Sequence, residues 1–143
     1  MLFQRLNRSD PEKVFVTGQN LSTGSLLGNT LVCWEGVIAS SVSFGNGFMQ
    51  PITSNLSLFA GVLDATVTTG NYGLIQVYGQ RASIAANPAT NVSISAAGLI
   101  LGPLAASVSA QSNGNSFQFG PIVLFDNVNV SGTGFYQGFI RAL

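Results

Sequence analysis

A chain of 143 residues has the length of a single domain, since domains commonly contain about 100 to 200 residues. Apolar residues make up 46% of it and charged residues only 7%, against roughly 25% charged residues in an ordinary soluble domain. Five basic and five acidic side chains cancel, so the chain lacks the positive field that sequence-independent nucleic-acid binding requires. Histidine is absent, which removes the commonest general base and the usual zinc ligand. Composition therefore argues against nucleic acid as a partner and against most hydrolase chemistry.

The first 29 residues differ in kind from the rest of the chain. Five of the ten charged residues lie within the first 13 positions: Arg5, Arg8, Asp10, Glu12 and Lys13. Glycine and asparagine then recur up to Asn29, with few bulky apolar residues between them. We therefore predict an extended N-terminal arm over residues 1–29, outside the core, followed by a single β domain over residues 30–143.

Short apolar segments follow at intervals of about ten residues, separated by Gly, Asn, Ser and Thr, and their alternation is that of strands rather than helices. The predicted strands are Leu31–Trp34, Val37–Phe44, Leu56–Leu63, Leu74–Tyr78, Ala82–Ala86, Val92–Ala96, Ala105–Ala110, Phe117–Phe119, Ile122–Val130 and Phe135–Ile140. Turns are predicted at residues 69–73 and 111–115, which contain Gly-Asn and Asn-Gly. This pattern predicts an all-β fold, a compact antiparallel sandwich or barrel of about 8–10 short strands.

The side chains that could carry chemistry are few and scattered. Three carboxylates lie in the body of the chain: Glu35, Asp64 and Asp126. Their spacing does not indicate a paired acid and base, and the simpler expectation for each is solvation at a strand end or a salt bridge to Arg81 or Arg141. Cys33 has no basic neighbour in sequence to lower its pKa and is expected to be a buried packing residue. We therefore predict that the chain has no catalytic, cofactor or metal site and that it is not an enzyme.

The segment Val92–Ala110 contains 19 residues without a charge, close to the length that spans a bilayer. Its alternating serines and its central Gly102-Pro103 favour a buried hairpin over a membrane helix. The start of the chain has no apolar segment of a secretory signal, and the single cysteine has no intrachain partner. We therefore expect synthesis in a reducing cytoplasm and no membrane association.

No charged side chain occurs between Ala82 and Phe125. Such a stretch is too long to be exposed on all sides in a soluble monomer, whose surface is typically about 25–35% charged. A symmetric oligomer hides uncharged faces, so we expect this stretch to be an interface between copies of the chain.

The stretch from Phe59 to Leu101 contains a series of glycine-rich strand motifs: Ala60-Gly61-Val62, Gly70, Tyr72-Gly73, Ile75-Gln76-Val77-Tyr78-Gly79, Ala82 and Ala96-Ala97-Gly98. With these motifs the stretch resembles small virion proteins of tailed bacteriophages. In these proteins an Ala-Gly-Val strand is followed by a Gly-Asn-Tyr-Gly turn, a strand ending in aromatic-Gly, and Ala-Ser-rich strands with a small-residue loop before a Gly-Leu-type strand. The match covers roughly 43 residues, from 59 to 101.

This resemblance implies a capsid decoration (cement) protein, typically a small β-rich homotrimer on the outer surface of the phage head. Its partner would be the major capsid protein of the same virion, and it would be made in the bacterial host cytoplasm and located on the capsid. The charged residues of the arm are the expected capsid contact: Arg5, Arg8, Asp10, Glu12 and Lys13. Another phage structural role, such as head fibre or tail protein, remains the alternative.

Overall fold

The computed structural model describes residues 12–35, 46–86, 100–103, 121–125 and 134–142. This part of the chain forms eight strands: β1 (Val14–Asn20), β2 (Leu31–Trp34), β3 (Gly47–Met49), β4 (Phe59–Leu63), β5 (Tyr72–Ala86), β6 (Ile100–Leu101), β7 (Ile122–Leu124) and β8 (Gly134–Arg141). Strands account for 60% of these residues and no helix occurs among them, which confirms the predicted all-β class.

Five strands close into a barrel. Their order is β1-β3-β2-β4-β5, and pairing of β1 with β5 completes the ring. The pairings in this barrel are antiparallel except for β1 with β3, which run parallel with Gln19 opposite Gly47. Of the two predicted architectures, the barrel is therefore the one that forms.

Strand β5 takes part in the barrel and also in a sheet that extends beyond it. Its first half, from Tyr72 to Tyr78, pairs with β1 in the barrel, and its second half, from Tyr78 to Ala86, pairs with β8. Strands β7 and β6 follow β8, so that β5 to β8 form a sheet that extends the barrel. At the junction Gly79 has a φ of 106°, and a bulge lies between Arg81 and Ile84. Two separately predicted strands, Leu74–Tyr78 and Ala82–Ala86, are thus one continuous strand.

Two apolar clusters lie on opposite sides of the barrel wall. One fills the barrel: Leu26, Val32, Phe48, Ala60, Leu63, Val67, Ile75 and Val77. The other lies between the wall and the extending sheet: Leu31, Val62, Ile84, Ala86, Leu101, Ile122, Leu124 and Ile140. Leu31 and Val32 belong to different clusters because successive side chains of a strand point to opposite faces. Strands β2 and β4 are therefore covered on both faces.

The prediction that residues 1–29 lie outside the core is wrong from Val14 onward. Residues 14–20 form β1, and the Asn20 amide is buried, donating to Val67 O at 2.8 Å while its Oδ1 accepts from the backbone of Ser22 at 2.9 Å. Gly18 is required by packing, since a Cβ there would lie 2.7 Å from Phe48 Cδ1. Two of the glycines that suggested a flexible arm, Gly18 and Gly28, are thus close-packing positions, whereas Gly24 has open space around it. Residues 1–11 lie outside the described residues.

The uncharged stretch from Ala82 to Phe125 was expected to be an interface between copies. Its described members Ile84, Leu101, Ile122 and Leu124 are instead fully buried in the chain's own second cluster. The stretch lacks charge there because these residues lie on the inner face of the extending sheet. Phe125 is the large apolar side chain of this described set that stays exposed.

The remaining strand predictions have mixed outcomes. Residues 31–34 are confirmed, and the last strand extends by one residue at each end of the predicted 135–140. The strand predicted over residues 56–63 begins only at Phe59, because a turn precedes it in which Asn55 Oδ1 accepts from the backbone of Ile52 at 2.7 Å. Strand β3 was not predicted. The predictions for 37–44, 92–96, 105–110, 111–115 and 117–119, and the part of 122–130 beyond 125, lie outside the described residues.

Candidate functional site

Two residues of the predicted capsid contact, Glu12 and Lys13, lie at the point where the chain enters the barrel. Glu12 and Lys13 are exposed and come directly before β1. The carbonyl oxygen of Glu12 lies 2.1 Å from where a Cβ on Gly79 would be, so the backbones of the two segments are in close contact. The rest of the predicted contact, Arg5, Arg8 and Asp10, falls outside the described residues. The structure therefore locates the end of this segment, beside the middle of β5.

A single buried ionic cluster lies in the described part of the chain, centred on Arg81. The guanidinium donates to six different oxygens: Leu63 O at 2.7 Å, Asn29 Oδ1 at 2.8 Å, Gln76 Oε1 at 3.0 Å, Ser83 O at 3.0 Å, Asp64 Oδ1 at 3.2 Å and Asp64 O at 3.3 Å. A guanidinium has five N–H donors, so each has an acceptor. The bulge after Arg81 directs the side chain toward the end of β4 and the loop that carries Asn29.

The local backbone explains how these acceptors come together. Asn29 has a φ of 66°, a conformation that asparagine tolerates better than most residues, and its backbone N–H donates to Leu63 O at 2.8 Å. The carbonyl of Asn29 accepts from Ala85 N–H at 2.8 Å. Gln76 is held in turn by its own amide, which donates to Gln80 O at 3.1 Å. The cluster therefore joins the 26–30 loop, β4 and the bulged part of β5.

Burial lowers the pKa of Arg81, while the hydrogen bond and the charge of Asp64 act in the opposite direction. The guanidinium is nearly inaccessible, whereas the Asp64 carboxylate is half-exposed. Because all five donors are occupied within the chain, the cluster has no free donor for an anionic ligand. Its arrangement is that of a structural cross-link. The salt bridge of Asp64 with Arg81 is one of the alternatives that the sequence left open for Asp64, whereas the roles of Asn29 and Gln76 were not predicted.

Cys33 is buried in β2, as expected for a packing residue. Burial raises the pKa of its thiol to about 12. A thiol with this pKa is protonated at neutral pH and is a poor nucleophile. Glu35 follows β2 and its backbone N–H donates to Gly47 O at 2.9 Å, while Asp126 lies outside the described residues.

Two further observations bear on binding chemistry in the described ranges. Among those residues, no three His, Cys, Asp or Glu side chains lie close enough together to hold a metal ion. The same residues contain no helix with the length and hydropathy needed to cross a bilayer.

The described residues include eight exposed large apolar side chains; Leu27 and Leu58 lie outside the strands, and the other six fall into two groups. The first, termed the barrel patch, consists of Phe15, Tyr72 and Leu74 on β1 and the first half of β5. The second, termed the extension patch, consists of Tyr78, Phe125 and Phe135 on the extending sheet. Neither patch was predicted, because alternation along a strand does not say which face meets solvent when both faces carry apolar residues.

No protein-family model matches the chain, and no curated protein matches it significantly.

Proposed function

We propose that the chain is a structural virion protein, a capsid decoration protein that binds the outer surface of a tailed-phage head and stabilises it. The proposal includes self-assembly into a homotrimer, with the major capsid protein as the partner and the charged N-terminal segment as the contact. Catalysis forms no part of this function.

The observation that carries the proposal is the conformation of the β4–β5 hairpin. The pattern shared with small virion proteins contains Gly61, Gly70 and Gly79, and here these have φ angles of 145°, 78° and 106°. A Cβ on Gly61 would lie 2.3 Å from Gln76 O, and one on Gly79 would lie 2.1 Å from Glu12 O. Both glycines are therefore needed for close backbone approach as well as for their φ angles. The glycines of the shared pattern are therefore required by the geometry of this hairpin, and this requirement is the observation on which the proposal rests.

The distribution of charge supports the same role. The described parts of the barrel and its extending sheet hold few charged side chains. One of them, Arg81, donates its hydrogen bonds to other groups of the same chain. Half of all charges lie in residues 1–13, of which Glu12 and Lys13 directly precede β1. Mixed charges on such a segment favour binding in one register on a complementary surface.

The test uses heads of the phage that encodes the chain, prepared without this protein. Full-length protein is added, and bound copies per head are counted after sedimentation, with isolated tails treated identically. We expect saturable binding to heads, in multiples of three, and an increased temperature of head rupture. Binding to tails alone would overturn the proposal in favour of a tail protein, and binding to neither would overturn both.

A further inference from the structure

We propose that Asn46 is a site of spontaneous covalent modification, at which the side-chain amide is lost as ammonia and the residue becomes aspartate or isoaspartate. The reaction consumes water and needs no enzyme. Asn46 lies at the parallel pairing of β1 with β3, termed the parallel seam, so the modification changes the bonding of the barrel at this place. The proposal does not depend on the capsid role.

The chemistry follows from the residue that comes after Asn46. Gly47 is the first residue of β3, and its backbone nitrogen attacks the side-chain carbonyl carbon of Asn46, which forms a cyclic succinimide and expels ammonia. A side chain on the second residue of such a pair hinders this attack, and glycine has none. Water then opens the ring at either carbonyl, so that one water is consumed for each ammonia released. The product is aspartate, or isoaspartate when the chain continues through the former side chain.

Asn46 differs from the other asparagines in the described part of the chain. Those four have their side chains held by hydrogen bonds: Asn20 Nδ2 donates to Val67 O at 2.8 Å, Asn29 Oδ1 accepts from Arg81 at 2.8 Å, Asn55 Oδ1 accepts from Ile52 N–H at 2.7 Å and Asn71 Nδ2 donates to Thr68 Oγ1 at 2.6 Å. None of the four precedes a glycine. Asn46 is exposed, and its side chain makes no hydrogen bond to another described residue. Within these residues no bond therefore holds its amide away from the nitrogen of Gly47.

Close packing keeps a glycine at position 47. A Cβ there would overlap Leu21 Cδ1 and would lie 3.3 Å from Glu35 Oε2. Any other residue at this position must therefore displace the side chain of Leu21. The reactive Asn-Gly pair is in this sense a consequence of how the strands pack at the parallel seam.

The modification acts on the bonds that hold the parallel seam. The carbonyl oxygen of Asn46 accepts from Gln19 N–H at 2.7 Å, and that of Gly47 accepts from Glu35 N–H at 2.9 Å. In isoaspartate the first of these carbonyls becomes a free carboxylate, and one extra carbon separates residue 46 from Gly47. The spacing between the two acceptors then changes, so we expect isoaspartate to weaken the pairing of β1 with β3. The new negative charge also forms near the carboxylate of Glu35.

Peptide mapping by mass spectrometry tests the site. The full-length chain is incubated at physiological temperature in mildly alkaline buffer, folded in one sample and unfolded by guanidinium chloride in the other. In both samples the peptide that contains residue 46 should gain about 1 Da, the mass difference between an amide and a carboxyl group. Mapping is required because the sequence has a second Asn-Gly pair, Asn113-Gly114. Asn71, which is also exposed but precedes Tyr72, is the internal control and should stay unchanged in the folded chain.

Two results of this incubation overturn the proposal. If only the unfolded chain is modified at residue 46, the fold protects this residue. If residue 46 remains asparagine in both samples, the pair is unreactive. Asn46→Gln is the matched variant, because it keeps an exposed amide but forms its larger ring far more slowly. Its mapped peptide should remain unmodified in the folded chain.

Thermal melting tests the effect on the parallel seam. Ion exchange separates the modified chain from the parent, because the modification adds a negative charge to a chain with a formal net charge of zero. Asn46→Asp carries the same charge without the extra backbone carbon. We expect the isoaspartate fraction to melt at a lower temperature than both Asn46→Asp and the unmodified chain. Equal melting temperatures for all three would overturn the inferred weakening of the parallel seam.

Discussion

The buried guanidinium of Arg81 and the half-exposed carboxylate of Asp64 form an ion pair with Nη1 3.2 Å from Oδ1. The two partners are unequal. Arg81 also donates to side-chain and backbone oxygens of three different segments, whereas Asp64 has solvent on its other side. Removal of Arg81 therefore leaves several buried acceptors without this donor. Removal of the Asp64 charge affects only one N–H group of Arg81, on the side of the pair that faces solvent.

This asymmetry predicts unequal losses of stability. Arg81→Met should lower the free energy of unfolding by about 3 to 5 kcal/mol, the usual loss when one partner of a buried polar cluster is removed. Asp64→Asn keeps an acceptor oxygen at the surface and should cost about 1 kcal/mol or less. Arg141→Met, at an exposed position on β8, is the control and should change stability by less than about 0.5 kcal/mol. Urea unfolding of the three variants measures the difference, and equal losses for Arg81 and Asp64 would contradict the assignment.

Glycine substitutions separate backbone strain from steric overlap. Gly70 has a φ of 78° with no atom near its missing Cβ, whereas Gly79 has a φ of 106° and Glu12 O lies 2.1 Å from the Cβ position. Gly70→Ala should cost about 1 to 2 kcal/mol from its φ angle alone. Gly79→Ala should cost at least about twice as much, because the start of β1 must also move. Similar losses in thermal melting would show that the contact between Glu12 and Gly79 is unimportant.

The buried thiol of Cys33 gives a stability that depends on pH. Its pKa is raised to about 12 in the folded chain, above its ordinary value near 9. Between about pH 9 and pH 12 the thiol is therefore protonated in the native state and ionised in the unfolded state. The stability that this difference contributes is complete below about pH 9 and declines as pH rises toward 12. The expected slope in that window is about 1 kcal/mol per pH unit. Urea unfolding at pH 8 and pH 10 should show this decline, and Cys33→Val should remove it. An equal pH dependence in the variant would contradict the assignment to Cys33.

Truncations test where the folded body begins. A chain that starts at residue 12 retains all five barrel strands and should melt near the wild-type temperature. A chain that starts at residue 30 lacks β1, which pairs with both β3 and β5, and should be unfolded or insoluble. Circular dichroism with thermal melting compares the two, and a folded 30–143 fragment would restore the boundary that the sequence suggested.

Local pattern predicted the elements whose residues alternate between clear turn signals. Residues 31–34 and 135–140 are examples, whereas the sequence left open whether Asp64 is solvated or pairs with Arg81 or Arg141. The pattern failed at Gly18, because a glycine required by close packing has the same signature in sequence as one in a flexible linker. It also could not predict closure of the barrel, because the parallel pairing of β1 with β3 joins segments that are distant in sequence. The two exposed patches could not be predicted either, because closure of the barrel determines which face of each strand is exposed to solvent.

The N-terminal charges should govern binding to the proposed capsid partner. Arg5→Ala/Arg8→Ala should reduce the number of copies bound per head, whereas Arg141→Ala, which removes a positive charge from the body, should not. Because partly exposed charge pairs are screened over about 8 Å at physiological ionic strength and about 3 Å at 1 M, wild-type occupancy should fall as salt rises. Head sedimentation across a salt series measures both effects, and full occupancy by the double variant would move the contact to the barrel.

The most direct test of the proposed decoration role is a cryo-electron microscopy reconstruction of the intact virion, with and without the gene for this chain. We expect barrel-sized densities in groups of three on the outer surface of the head. They should be absent from the deletion virion, with Glu12 and Lys13 oriented toward the capsid shell. Density that disappears from the tail alone, or virions identical in both preparations, would contradict the assignment as a head decoration protein.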